Sequence, residues 1–134
     1  MTTAPLPEKT RELLARPNPA VITTLRPDGQ PVSVATWYLL DGARILVNMD
    51  ARRKRLEYLR SDPRVSLTAL DEQSRYTHVS IRGRVVEIAD DPDLEGIDRL
   101  SRHYTGDPYP TRDRARVSAW IEIDSWHGWG AARE

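Results

Sequence analysis

Ala20-Val21-Ile22-Thr23-Thr24-Leu25, then Arg26-Pro27-Asp28-Gly29-Gln30, then Pro31-Val32-Ser33-Val34-Ala35-Thr36: this stretch carries the first decision about the fold. Its flanks are rich in β-branched and apolar residues, which suit a pleated, half-buried backbone. Its centre is a turn signal, because proline presets one dihedral and glycine takes the left-handed position. The stretch reads as a hairpin whose second strand runs from Pro31 to Leu40. Asp41-Gly42 signals another hairpin and leads into a third strand, Arg44 to Asn48.

Outward from that centre the same kinds of signal repeat. Thr2 to Arg16 reads as a leader plus a short helix carrying Leu6, Leu13 and Leu14, ended by Pro17 and Pro19. A helix that opens with a cation block stops at Asp62-Pro63, and Arg64 to Leu70 is a fourth strand. A long fifth strand runs from Tyr76 to Ile88, with Gly83 marking a bulge or a close backbone approach. Asp90-Asp91-Pro92 starts a helix carrying Leu94, Ile97 and Leu100. Tyr104 to Arg112 is a Pro/Gly loop. In the sixth strand Val117, Ala119, Ile121 and Ile123 alternate with Ser118, Trp120, Glu122 and Asp124, so one face is buried. Six strands joined largely by tight turns, with two or three short helices, predict a mainly β antiparallel barrel or sandwich. One domain is expected over residues 1–134, with 1–19 as its leader and short helix.

Composition narrows the function. The chain has 20 basic and 20 acidic residues and no net charge. That argues against a general nucleic-acid or membrane binder, and so against a small barrel that stacks bases on Trp and Arg. There is no cysteine, so disulfides and thiolate metal sites are excluded. No apolar run approaches a membrane span and no signal-peptide pattern opens the chain, so the expected location is the cytoplasm. Four Trp and five Tyr stand against no Phe, an aromatic set suited to half-wet sites. Trp126 and Trp129 are expected to close the core or a dimer contact, or to wall a pocket.

Catalytic motifs are sparse. P-loop, G-x-G-x-x-G, H-E-x-x-H and nucleophile-elbow patterns are missing. His78, His103 and His127 lack metal spacing, and Asp90, Asp91 and Asp93 suit a helix start better than a metal. The main chemical signal is Asp50-Ala51-Arg52-Arg53-Lys54-Arg55. Four cations in a first helical turn oppose the helix dipole, at ~0.3–1 kcal/mol per exposed charge. The free N–H groups of such a turn favour an anion, and a phosphate or carboxylate would relieve both problems. The plain alternative is a solvated face, with Glu57 pairing to Arg53 and softening the repulsion.

Taken together, Val-Ile-Thr-Thr-Leu, Pro-Asp-Gly-Gln-Pro, Val-Ala-Thr-Trp-Tyr, Ile-Leu-Val-Asn, the basic helix and Leu-Arg-Ser-Asp-Pro-Arg-Val-Ser-Leu closely resemble a known family. It is the flavin/deazaflavin oxidoreductases of the pyridoxamine 5'-phosphate oxidase-like, FMN-binding split β-barrel, and within it the small branch that binds coenzyme F420. The resemblance runs from about Ala20 to Gly130. It implies a six-stranded split β-barrel, a homodimer, and two cofactor sites at the subunit interface. It implies a phosphate held by an Arg-x-Lys pair that falls here on Arg53 and Arg55, with Arg replacing the usual Lys. A register one residue earlier selects Arg52 and Lys54. It also implies that Trp37, Tyr38, Asn48 and Met49 lie near the ring system, that Pro31, Val32 and Ser33 flank the ring through their backbone, and that Trp129 comes from the other subunit. The implied activity is hydride transfer from reduced F420 to a conjugated double bond of a small organic acceptor. A reduced deazaflavin is itself the hydride donor, which accounts for the missing catalytic motifs. Tyr38, Tyr76 and His78 are the proton-donor candidates. The alternatives are an FMN-binding oxidase or reductase on the same barrel, and a non-catalytic F420 carrier.

Overall fold

The computed structural model describes residues 5–133. Its elements in chain order are α1 (Glu8–Leu14), β1 (Ala20–Leu25), β2 (Pro31–Thr36), β3 (Leu39–Asp41), β4 (Arg44–Asp50), α2 (Lys54–Ser61), β5 (Arg64–Leu70), β6 (His78–Asp90), α3 (Glu95–Thr105), β7 (Arg116–Trp129) and a 3-10 turn, Gly130–Ala132. The turn chemistry is as expected. Gly29 and Gly42 both take positive φ, and the Asp28 carboxylate accepts the Gln30 N–H at 3.0 Å.

The strand count is seven rather than six. The expected second strand, Pro31 to Leu40, breaks at Trp37-Tyr38 into β2 and β3. All strands are antiparallel in one sheet of order β2-β1-β5-β6-β7-β4-β3. β2 and β3 are therefore opposite edges of the sheet, joined by two residues. Two residues span roughly 7 Å of extended chain, so the sheet must curl until its edges nearly meet. The result is a barrel whose seam is bridged by a covalent link and not by a strand ladder. Tyr104 pins that link: its hydroxyl donates to the Asn18 carbonyl at 2.8 Å and accepts the Tyr38 N–H at 3.3 Å.

β6 and β7, of 13 and 14 residues, are the longest strands. Their register shifts at Arg82/Gly83 and at Val85/Glu87. A side chain on Gly83 would run into the Glu122 carbonyl, so the expected bulge and the close backbone approach coincide. Leu13, Ile22, Ile45, Val47, Leu59, Leu67, Ile81 and Ile121 fill the barrel. β4 is buried on both faces, because α3 lies over its outer side through Leu94, Ile97 and Leu100. Trp126 is buried in the main core, whereas Trp129 stays 45% exposed.

Two helix starts differ from expectation. α3 begins at Glu95, after a turn in which Leu94 holds positive φ. Asp91 reaches forward across that turn, and its carboxylate accepts the N–H groups of Gly96 at 2.9 Å and Ile97 at 3.0 Å. α2 begins at Lys54 with Arg53 at its cap position and no side-chain cap bond. Among the described residues no helix is long and apolar enough to cross a membrane.

Candidate functional site: a cationic groove beside an aromatic cavity

The cations at the start of α2 sort into two groups. Asp50, the last residue of β4, accepts the Arg52 N–H and an Arg114 Nη1–H, both at 2.9 Å. The Arg52 N–H and then the Arg114 guanidinium hold its carboxyl down at about 2. Arg52 lies 3.6 Å from Asp50, and Lys54 lies 3.6 Å from Glu57. Glu57 thus pairs with Lys54 and not with Arg53, the partner expected from spacing. Arg53 and Arg55 pair with no carboxylate among the described residues. Arg55 is half-buried, and its Nε has no hydrogen-bond partner. Burial, then Arg53, then Arg116 push the Arg55 guanidinium down from its ordinary range. A buried donor without an acceptor is costly, and a crowd of cations around it raises that cost.

These side chains open onto two adjoining cavities of about 740 Å³ and 770 Å³. Ala35, Asn48, Arg55, Tyr109 and Arg116 line both. The first has an aromatic and apolar wall of Trp37, Tyr104, Tyr109, Ile97 and Leu100, with Glu72, Arg55 and Arg116 also on its lining. Trp37 stacks on Tyr104 at 5.2 Å between centroids, and Tyr109 meets it edge-on at 6.2 Å. Burial raises the Tyr104 hydroxyl to about 12, so it stays a neutral hydrogen-bonding strut. The second cavity is cationic, lined by Arg52, Arg53, Lys54, Arg55, Arg114 and Arg116.

The loop between α3 and β7 forms the shared wall. The buried Asp98 carboxylate accepts the Tyr109 N–H at 3.0 Å and an Arg112 Nη1–H at 2.7 Å. The same Nη1 donates to the Tyr109 carbonyl at 3.1 Å, closing a clasp. The Arg112 bond chiefly keeps Asp98 ionised, below the usual carboxylate range.

The residues expected at the site divide accordingly. Trp37 lines the aromatic cavity, Asn48 lines both, and Met49, Arg52, Arg53, Lys54 and Arg55 line the cationic one, together with Val32. Tyr38 does not reach either cavity. It is fully buried, its hydroxyl accepting from Asn18 at 3.1 Å and donating to the Arg16 carbonyl at 3.3 Å. Burial pushes its pKa up, so it is a core strut where a ring contact or proton donor was expected. Pro31 and Ser33 line neither cavity, and Ser33 shares a hydrogen bond of 2.7 Å with Thr23 on the outer sheet face. Trp129 lines neither cavity and stacks on His127 at 5.9 Å. Tyr76 and His78 also lie outside both cavities. Sequence reasoning passed over Arg116, Tyr109 and Arg114. For Arg116 a signal existed: it continues the non-core parity of Ser118, Trp120 and Glu122.

Unpaired guanidinium groups at one end and a wide aromatic cavity at the other suit a ligand with a phosphoryl arm and a flat ring. Comparison with known proteins identifies the family and the fold. The family description for pyridoxamine 5'-phosphate oxidase matches residues 6–130. Among solved structures, an F420 reductase is 26% identical over 90% of this chain and 98% of its own, with a TM-score of 0.84. A conserved hypothetical protein from Mycobacterium tuberculosis is 25% identical over 98% of this chain and 90% of its own, with a TM-score of 0.76. General Stress Protein 26 from Bacillus anthracis shares the fold at 18% identity, with a TM-score of 0.66 over 91% of this chain and 92% of its own. No curated protein gives a significant sequence match. With nearly its whole length matched and its sheet superposable on these structures, the chain belongs to the pyridoxamine 5'-phosphate oxidase family.

Proposed function

We propose that this protein is an F420-dependent oxidoreductase that passes a hydride to a conjugated double bond of a small organic acceptor. The observation that carries the reading is the buried, unpartnered Arg55 Nε beside Arg53, at the junction with the aromatic cavity. Arg53 and Arg55 hold the phosphoryl group; Arg52 and Lys54 already have carboxylates, which favours the later of the two registers. Trp37, Tyr104 and Tyr109 wall the ring end. When bound, reduced F420 would supply the hydride to one carbon of the acceptor, the other carbon taking a proton. The chain's own task is then placement and electrostatics. The similarity to an F420 reductase supports the deazaflavin. FMN is the second reading, favoured by the family as a whole and by the same phosphate-seeking arginines.

We also propose a homodimer. Sheet register aligns Ser33, Thr23, Ser66 and Arg82 in one outer row and Ala35, Val21, Thr68, Ser80 and His127 in the next. These are mostly small side chains on a sheet face where Val21 is 38% exposed and Trp129 is 45% exposed, a surface a second copy can cover.

Tryptophan fluorescence titrations with F420 and with FMN separate the two cofactors, and light scattering gives the oligomeric state. Oxidation of reduced F420 by a panel of conjugated acceptors separates enzyme from carrier. Absence of binding by either cofactor would refute the reading.

A further inference from the structure

We propose that Arg116 is a third phosphoryl-binding guanidinium, and that Asn48 is the positioning residue that aims it. The inference rests on the phosphate reading above. Arg116 lies at the start of β7, far from α2 in sequence, yet it lines both cavities together with Arg55. No carboxylate pairs with Arg116 among the described residues, although Asp50 stands opposite it in the ladder and Asp90, Asp91 and Asp113 are near it in sequence or register. Its guanidinium instead rests on the Tyr109 ring, 4.9 Å from the centroid, and its Nε donates to Asn48 Oδ1 at 2.8 Å. Both contacts leave the terminal nitrogens of the fork available to an anion.

The direction of that fork is set from behind. Asn48 Nδ2 donates to Asp91 Oδ2 at 3.1 Å and to Ser118 Oγ at 2.9 Å. Asp91 can only accept, so the amide nitrogen must face it and the amide oxygen must face Arg116. Asp91 in turn is held by the N–H groups of Gly96 and Ile97 at the start of α3. A side chain on Gly96 would collide with Ser118 Oγ, so this corner has no slack. Asn48, expected beside the ring system, lines the aromatic cavity, and its amide, committed on both sides, also fixes a cation there.

Two ligand pairs test this: FMN with riboflavin, which differ in the phosphate alone, and F420 with its deazaflavin alcohol, which lacks the phosphate together with the anionic tail beyond it. For Arg116→Gln, affinity for the phosphorylated member falls about 10- to 100-fold while the phosphate-free member is unchanged. Asn48→Leu gives a smaller loss with the same selectivity, and the double variant is no weaker than Arg116→Gln alone. Arg116→Lys, which keeps the charge but lacks Nε, should resemble Asn48→Leu and serves if that variant folds poorly. Equal losses for both members of a pair would make Arg116 merely structural and overturn the proposal. Loss of phosphate selectivity in Arg53→Ala/Arg55→Ala but not in Arg116→Gln would overturn it while leaving the phosphate reading intact. Selectivity retained in both would remove the two together.

Discussion

Two like-charged runs open two helices of this chain, and they meet opposite fates. The acidic run Asp90 to Glu95 lies with the dipole of α3, and the cationic run Arg52 to Arg55 lies against that of α2. The acidic run is tied into the fold through one member, while Asp90, Asp93 and Glu95 stay exposed. Asp91 is buried, and its carboxylate serves two backbone N–H groups and the Asn48 amide. The cationic run closes only in part: Arg52 and Lys54 find carboxylates, whereas Arg53 and Arg55 do not. Charge placed with a helix dipole is spent on structure. Charge placed against it leaves a demand that a ligand can meet, and here that demand borders a cavity.

The largest effect should come from removing that demand. Arg53→Ala/Arg55→Ala is expected to weaken F420 or FMN binding by at least ~100-fold, since charge-assisted hydrogen bonds contribute about 1.5–3 kcal/mol each. Circular dichroism should stay unchanged; an unchanged Kd in fluorescence titration would erase the contrast between the two runs. Next is Asp91→Ala, which strips α3 of its cap and leaves buried donors unpaired. A loss of about 2–3 kcal/mol in urea unfolding is expected. A loss below about 0.5 kcal/mol would show that the acidic run is not structural.

A sharper test sets stability against binding at one residue. Arg53 already has the extended backbone of a cap position but no capping side chain. Arg53→Ser should cap α2 and remove a misplaced cation, raising stability by about 1 kcal/mol while weakening the phosphorylated ligand. If stability falls instead, Arg53 has a structural partner in the folded state. The smallest effect is expected for Arg52→Ala and Lys54→Ala singly. Exposed ion pairs contribute about 0–1 kcal/mol, so stability and Kd should both change little. A tenfold change in Kd for either would restore the earlier register.

Much of the fold was legible because its signals are local. The hairpin at Pro27-Asp28-Gly29, the stop at Asp62-Pro63, the bulge at Gly83 and the alternation from Val117 to Ile123 each depend on a few neighbouring residues. The break at Trp37-Tyr38 was not legible, because its flanks continue a strand-like pattern. What breaks it is the need to cross from one sheet edge to the other, which no local propensity records. Tyr38 misled for the same reason. Its residue type suits a half-wet site, but the seam turns it inward beneath Asn18 and the Arg16 carbonyl.

The site divides along the same line. By itself the sequence determined that four cations crowd the entrance of one helix, a place suited to an anion, because charge and dipole act within neighbouring residues. Only the tertiary structure decided which of the four remain unpaired, that Arg116 joins them, and that Trp37, Tyr104 and Tyr109 stand beside them. Those outcomes depend on the pairing of β4 with β7 and on α3 lying across β4, contacts between residues far apart in the chain whose register the whole sheet sets at once.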